Sequence, residues 1–165
     1  MRSDGSRRSE RPAKSLAARA IAMLARREYS RAEIRGKLVA GADVADAAEV
    51  DRVLDELVAL GYLSDARFAS AVVAQKSGSH SKRAIGAALR ARGVGDEAIT
   101  GALEGSEIDD LDAMVALWRR RFGNAPADER EKARQVRFLQ SRGFALSAIL
   151  KLLRDPPDGD PSAGS

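Results

Sequence analysis

Few residues in this chain have the chemistry of a catalytic group, and none stands beside the partner it would need. His80 is the only histidine, set in Ser77-Gly78-Ser79-His80-Ser81. The nearest carboxylates in sequence are Asp65 upstream and Asp96 downstream. A metal site or a Ser-His-Asp arrangement would have to gather ligands from distant segments, so a solvated loop histidine is the simpler account. Asp109-Asp110-Leu111-Asp112 is dense in carboxylates, but it lacks the loop glycine and terminal glutamate of an EF-hand. A capped helix start explains it better. Gly93-Val94-Gly95 lacks the third glycine and the preceding strand of a phosphate-binding loop. There is no cysteine, which excludes disulfides, thiolate nucleophiles and Cys-based metal sites. The expectation is a protein without catalytic residues, metal or cofactor.

The basic residues are more informative. Lys76, Lys82, Arg83, Arg90 and Arg92 fall in a run, residues 66–94, that holds six basic groups and no acid. Arg134, Arg137 and Arg142 lie close to one face of a later helix. Both sets are candidates for contact with phosphate or an acidic protein. Arg119-Arg120-Arg121 end a helix, where cations match the dipole, so they need no partner. The formal charge is only +4, because acidic blocks separate the basic ones. Residues 43–60 carry six acids and one base, and residues 95–118 carry seven acids and no base. A protein reading DNA phosphate alone would gain nothing from such blocks. Alternating signs suit a partner of mixed charge, or a fold that segregates the signs onto different faces.

The elements that must position these groups are helices. Aromatic residues are 4% of the 165, and Thr100 is the only threonine; the positions go instead to Ala, Leu, Arg and Glu, the helix formers. No proline lies between Pro12 and Pro126. No apolar run approaches the roughly 18 residues of a membrane span, and the basic N-terminus lacks a signal-peptide core. The expectation is a cytoplasmic protein.

An internal repeat organises the helices. Arg92-Gly93-Val94, Ala98-Ile99 and Leu103 return as Arg142-Gly143-Phe144, Ala148-Ile149 and Leu153. Such periodicity predicts similar helical units in series, presenting an extended surface to a partner. The resulting architecture is all-α: three tandem three-helix repeats, residues 15–63, 64–105 and 106–154, in an elongated, curved array. A disordered basic tail of residues 1–14 and an acidic one of residues 155–165 flank it. Ser30-Arg31-Ala32-Glu33 reads as a capping box. Val50, Val53, Leu54, Leu57 and Val58 form the widest apolar stripe, and Leu111, Met114, Val115 and Trp118 form another. Gly61 reads as a left-handed helix end, Ser64 as an N-cap, and Pro126 as the first residue of a helix. Gly93 and Gly143 are corner residues that set the curvature.

Gly61-Tyr62-Leu63-Ser64-Asp65-Ala66-Arg67-Phe68-Ala69 resembles the signature of the RecX family, bacterial regulators of the RecA recombinase. Ser30 to Leu38, Arg92-Gly93-Val94 and Lys132 to Phe144 resemble the family's other repeat motifs, so the similarity covers about residues 15–154. Ser64 stands where the family has an aspartate, and the turn before Ile85 lacks its usual glycine. The resemblance implies a regulator that binds the RecA–DNA filament and mainly inhibits ATP hydrolysis and strand exchange. Single- or double-stranded DNA is a further partner under this reading, and a monomer is expected. The alternative is a helical nucleic-acid-binding protein acting without a recombinase. In structural terms, Gly61 permits the turn, Tyr62, Leu63 and Phe68 lock the first unit onto the second, and Arg67 pairs with Asp65 or with an acid of residues 43–60.

Overall fold

The computed structural model describes residues 15–41 and 47–157. The expected basic tail of residues 1–14, the acidic segment of residues 158–165 and most of the long turn after Gly41 lie outside the described residues. Nine helices form among the described residues, and no strand: α1 (Leu16–Leu24), α2 (Arg31–Ala40), α3 (Ala47–Ala59), α4 (Asp65–Lys76), α5 (Lys82–Ala91), α6 (Asp96–Glu104), α7 (Asp110–Arg121), α8 (Glu129–Ser141) and α9 (Leu146–Arg154). The chain is all-α, as its composition requires.

The starts of the helices follow from local chemistry. Ser15, Ser30, Ser64 and Ser81 each accept a backbone N–H of the first turn, and Ser30 with Glu33 forms the full reciprocal box. Asp109 caps α7 through the N–H groups of Leu111 and Asp112, which settles the carboxylate cluster as a helix start. Pro126 does not open α8. Asp128 is the N-cap, accepting from Glu131 N, while Glu131 accepts from Ala127 N. A side chain that can cap outweighs a proline that can only pre-set φ.

Three separate cores result, one per trio of helices. Ile34, Leu38, Val50, Leu54, Leu57 and Leu63 centre the first, with Ala20. Phe68, Val72, Ile85, Leu89, Val94 and Ile99 centre the second. Met114, Leu117, Trp118, Leu139, Phe144 and Ile149 centre the third. The two apolar stripes are narrower than the sequence suggests. Val58 is 47% exposed and Leu111 is 58% exposed. At about 100° per residue each lies at the edge of its helix's buried arc, and each sits near a helix end where nothing covers it.

Trp118 donates its indole N–H to Gln135 Oε1 at 2.9 Å, and Gln135 Nε2 donates to the Asn124 carbonyl at 3.3 Å. Gln135 is fully buried. This polar pair inside the third core carries no signal in the sequence, because a glutamine on a charged helix reads as solvent-facing.

The joints between units repeat as the sequence does. Ser30 Oγ donates to the Arg92 carbonyl at 2.7 Å, and Ser81 Oγ donates to the Gly143 carbonyl at 2.9 Å. Asp65 Oδ1 accepts the Arg31 N–H at 2.8 Å, and Asp110 Oδ1 accepts the Lys82 N–H at 2.9 Å. The second helix of the first and of the second unit is thus capped by a carboxylate from the unit that follows. Gly93 and Gly143 adopt φ of +77° and +90°. A Cβ on Gly93 would collide with Ala32, and one on Gly143 would collide with Ala84 and Ser81. The corner glycines therefore do two jobs: they turn the chain and they seat each unit on the one before.

Candidate functional site

The sequence-level basic set divides between the two joints. Arg92 lies at the first, its Nε 3.8 Å from Glu33 and its guanidinium 5.6 Å from the Phe68 ring centre. Arg90 pairs with Asp96 at 2.8 Å. The acid-free run of residues 66–94 is therefore not acid-free in space at its C-terminal end. Glu33 comes from the first unit and Asp96 from the next helix.

Acids also match Arg31 and Arg35 of the first unit. Arg31 reaches Asp55 at 2.8 Å, and Arg35 donates to both oxygens of Asp51 at 2.8 and 3.1 Å. That hydrogen bond, then the charges of Arg35 and Arg31, hold the Asp51 carboxyl below its ordinary range. Among the described residues Arg67 pairs with neither Asp65 nor an acid of residues 47–60. Its Nε donates to Glu28 at 2.9 Å, and its Nη2 donates to the carbonyls of Gly61 and Tyr62 at 2.9 and 3.2 Å. Asp65 is committed to capping α2, which leaves Arg67 to staple the turn. Leu63 and Phe68 enter different cores instead of bridging two units, and Tyr62 is 54% exposed.

At the second joint the cations gather without ion pairs among the described residues. Arg83 Nη2 donates to the Gly143 carbonyl at 3.3 Å, and Arg120 Nη2 donates to the Gly78 carbonyl at 3.0 Å. Lys76 and Arg142 stand close enough to His80 to lower its pKa, after the larger effect of its partial burial. His80 is half-buried, not a solvated loop residue, and its Nδ1 lies 2.9 Å from Ser79 Oγ. The loop of residues 77–81 packs into the joint, which shields the histidine from part of the solvent.

This cluster continues over the third unit as alternating arginine and phenylalanine. Phe122 and Phe138 meet edge to face, with ring centres 5.4 Å apart. Arg142 lies 5.0 Å from the Phe138 centre, Arg134 lies 5.6 Å from that of Phe122, and Arg121 lies within 6 Å of both rings. Arg134 has a weak pair with Glu131 at 3.5 Å. Arg137 is exposed one turn beyond Arg134. Lys82, half-buried at the start of α5, commits its backbone N–H to Asp110.

The fold thus brings together Lys76, Arg83, Arg134 and Arg142, adds Arg120, Arg121 and His80, and sets Arg90 and Arg92 apart. Arg120 and Arg121 read from sequence as dipole-matching residues; only the packing of α7 against the loop of residues 77–81 and against Phe138 gives them a place here. Guanidinium groups held over aromatic faces, with few acids between them, are suited to phosphate and to stacked bases. Among the described residues no group of His, Asp and Glu is arranged to hold a metal ion, and no helix is long and apolar enough to cross a membrane.

Comparison with known proteins agrees with this organisation. Residues 64–103 match the family model described as RecX, second three-helix domain, and residues 107–153 match RecX, third three-helix domain. A regulatory protein RecX of Leptothrix cholodnii is 44% identical over 146 residues, covering 88% of this chain and 92% of that protein. One from Chromobacterium violaceum is 43% identical, covering 89% and 94%. The fold is shared with the crystal structure of RecX from Lactobacillus salivarius, at a TM-score of 0.63 and 18% identity over 84% of this chain and 94% of that one. With two successive three-helix units matched by the family's own models and full-length relatives above the level at which ancestry is in question, the chain belongs to the RecX family of regulatory proteins.

Proposed function

We propose that this protein binds the RecA–DNA filament and restrains it, lowering ATP hydrolysis and strand exchange, with no reaction of its own. Membership of a family of regulatory proteins supports the regulatory role. The observation that carries the contact is the second joint. There Lys76, Arg83, Arg120 and Arg142 lack ion pairs among the described residues, whereas the first joint is charge-matched. A polyanion gains most where cations have no internal acid to leave. Glu28, Glu33, Asp51 and Asp55 are correspondingly engaged around the first joint, so the two joints differ in charge, the first matched and the second basic. Such a protein works in the compartment that holds the recombinase, the cytoplasm.

The test is RecA ATPase on single-stranded DNA with the protein added below stoichiometry. The wild type lowers the rate. The triple variant Lys76→Gln, Arg83→Gln, Arg142→Gln inhibits much less, and its residual effect is less salt-dependent. Equal inhibition by wild type and variant would remove the basic joint from the mechanism.

A second reading, direct binding to single-stranded nucleic acid without the recombinase, is favoured by the arginines over Phe122 and Phe138. Tight binding to a bare oligonucleotide, with no effect on RecA ATPase, would select it.

A further inference from the structure

Gly61, Gly93 and Gly143 end their helices in the same way. Their φ values are +79°, +77° and +90°. In each case the next residue's N–H reaches back five positions: Tyr62 to Leu57 at 2.9 Å, Val94 to Leu89 at 3.2 Å and Phe144 to Leu139 at 3.3 Å. An apolar side chain after such a glycine ordinarily folds back onto the helix it terminates. Val94 and Phe144 do so and are each 5% exposed. Tyr62 does not. It is 54% exposed, and Leu60, on the other side of the glycine, is 71% exposed.

This turn is held firmly. Arg67 hydrogen-bonds to the carbonyls of both Gly61 and Tyr62, and Glu28 anchors the guanidinium from behind. Its neighbours all have internal work. Leu63 fills the first core, Ser64 caps α4, Asp65 caps α2 and Phe68 fills the second core. The Tyr62 phenol makes no hydrogen bond or ring contact among the described residues. A rigid turn that displays a tyrosine and a leucine lowers the entropy cost of binding through them.

The surroundings indicate what the turn meets. The nearby cations Arg31, Arg67 and Arg92 are matched by Asp55, Glu28 and Glu33, so phosphate finds little to bind. A self-contained dimer needs about 800 Å² from each partner, more than two side chains and the adjoining Val58 supply. An aromatic anchor entering an apolar pocket within a larger protein interface meets both conditions.

We propose that Leu60 and Tyr62, displayed on the turn that Arg67 staples, form an anchor that enters an apolar pocket of the protein partner. The inference rests on the reading above only for the identity of that partner, the recombinase filament.

The experiment uses the full chain with Leu60→Ala and Tyr62→Ala together. Binding is measured to RecA filaments assembled on labelled single-stranded DNA with a non-hydrolysable ATP analogue, and separately to the bare oligonucleotide. Thermal melting checks the fold, which two exposed side chains should leave intact. The expected result is filament binding at least tenfold weaker, with oligonucleotide binding and sedimentation unchanged. Equal filament affinity in wild type and variant overturns the anchor while leaving the regulatory reading in place. Loss of oligonucleotide binding overturns it in favour of base stacking, and a wild-type dimer that the variant dissociates overturns it in favour of self-contact. A wild type that does not bind the filament sinks the regulatory reading and the anchor with it.

Discussion

The Ser30 hydroxyl donates to the Arg92 carbonyl, 62 positions along the chain, while accepting the Glu33 N–H of its own helix. One buried oxygen therefore caps α2 and ties the first unit to the second. Ser81 does the same between the second unit and the third, through Gly143 and Ala84. Replacing either serine by alanine removes a cap and leaves a buried carbonyl without its donor, at a combined cost of about 2–3 kcal/mol. Urea unfolding of Ser30→Ala and Ser81→Ala measures this. A loss below about 0.5 kcal/mol would mean that water replaces the hydroxyl in the joint.

The corner glycines should be less tolerant still. Gly93→Ala and Gly143→Ala force a left-handed conformation on a residue with a Cβ and drive that Cβ into Ala32 or Ala84. Each should cost at least about 1–3 kcal/mol. Gly36→Ala is the contrast. It lies within α2 with open space around it, and should stabilise by about 0.5–1 kcal/mol. Melting temperatures moving in opposite directions would establish that the corners, not glycine content, set the stability.

Gln135→Ala should expose the cost of an unpaired indole. Trp118 N–H loses its acceptor in a closed core, a penalty of about 1–3 kcal/mol in addition to the lost packing. Trp118 is the only tryptophan, so its fluorescence reports the change directly. An unshifted emission spectrum and unchanged stability would show that the pair contributes nothing.

His80 gives the second joint a pH dependence. Its partial burial, then Lys76 and Arg142, hold its pKa below 6.5, so the unfolded chain binds the proton more readily than the folded one. Stability is full above the unfolded value and falls as pH is lowered through the folded value. Unfolding free energy measured between about pH 7.5 and pH 5.5 should decline more for the wild type than for His80→Gln. A polyanion bound beside Lys76 and Arg142 should raise the imidazole pKa, which NMR titration of the only histidine can read. No movement on binding would place the anion elsewhere.

Much of this fold is legible in the sequence because it is locally specified. Helix formers, serine caps and the glycine ends at Gly61, Gly93 and Gly143 act within a few residues, and the repeat of Arg92-Gly93-Val94 as Arg142-Gly143-Phe144 shows how the units recur. The errors fall where two local signals compete or where a helix ends. Asp128 displaced Pro126 as the start of α8, and Val58 and Leu111 sit at the margins of their buried arcs. The candidate site was only partly legible. Lys76, Arg83, Arg134 and Arg142 were visible as basic residues, but their grouping with Arg120, Arg121 and His80 depends on how the second and third units meet.

The sequence by itself determined the helices, their repetition and the family, since those rest on neighbours along the chain. Only the tertiary structure decided which charges are free. Glu33 and Asp96 match Arg92 and Arg90 across joints and turns, Asp65 caps α2 and leaves Arg67 to Glu28, and Tyr62 stays outside while Val94 and Phe144 turn in. Coulombic pairing and burial act over distances in space, and two residues sixty positions apart carry no local mark that they will meet.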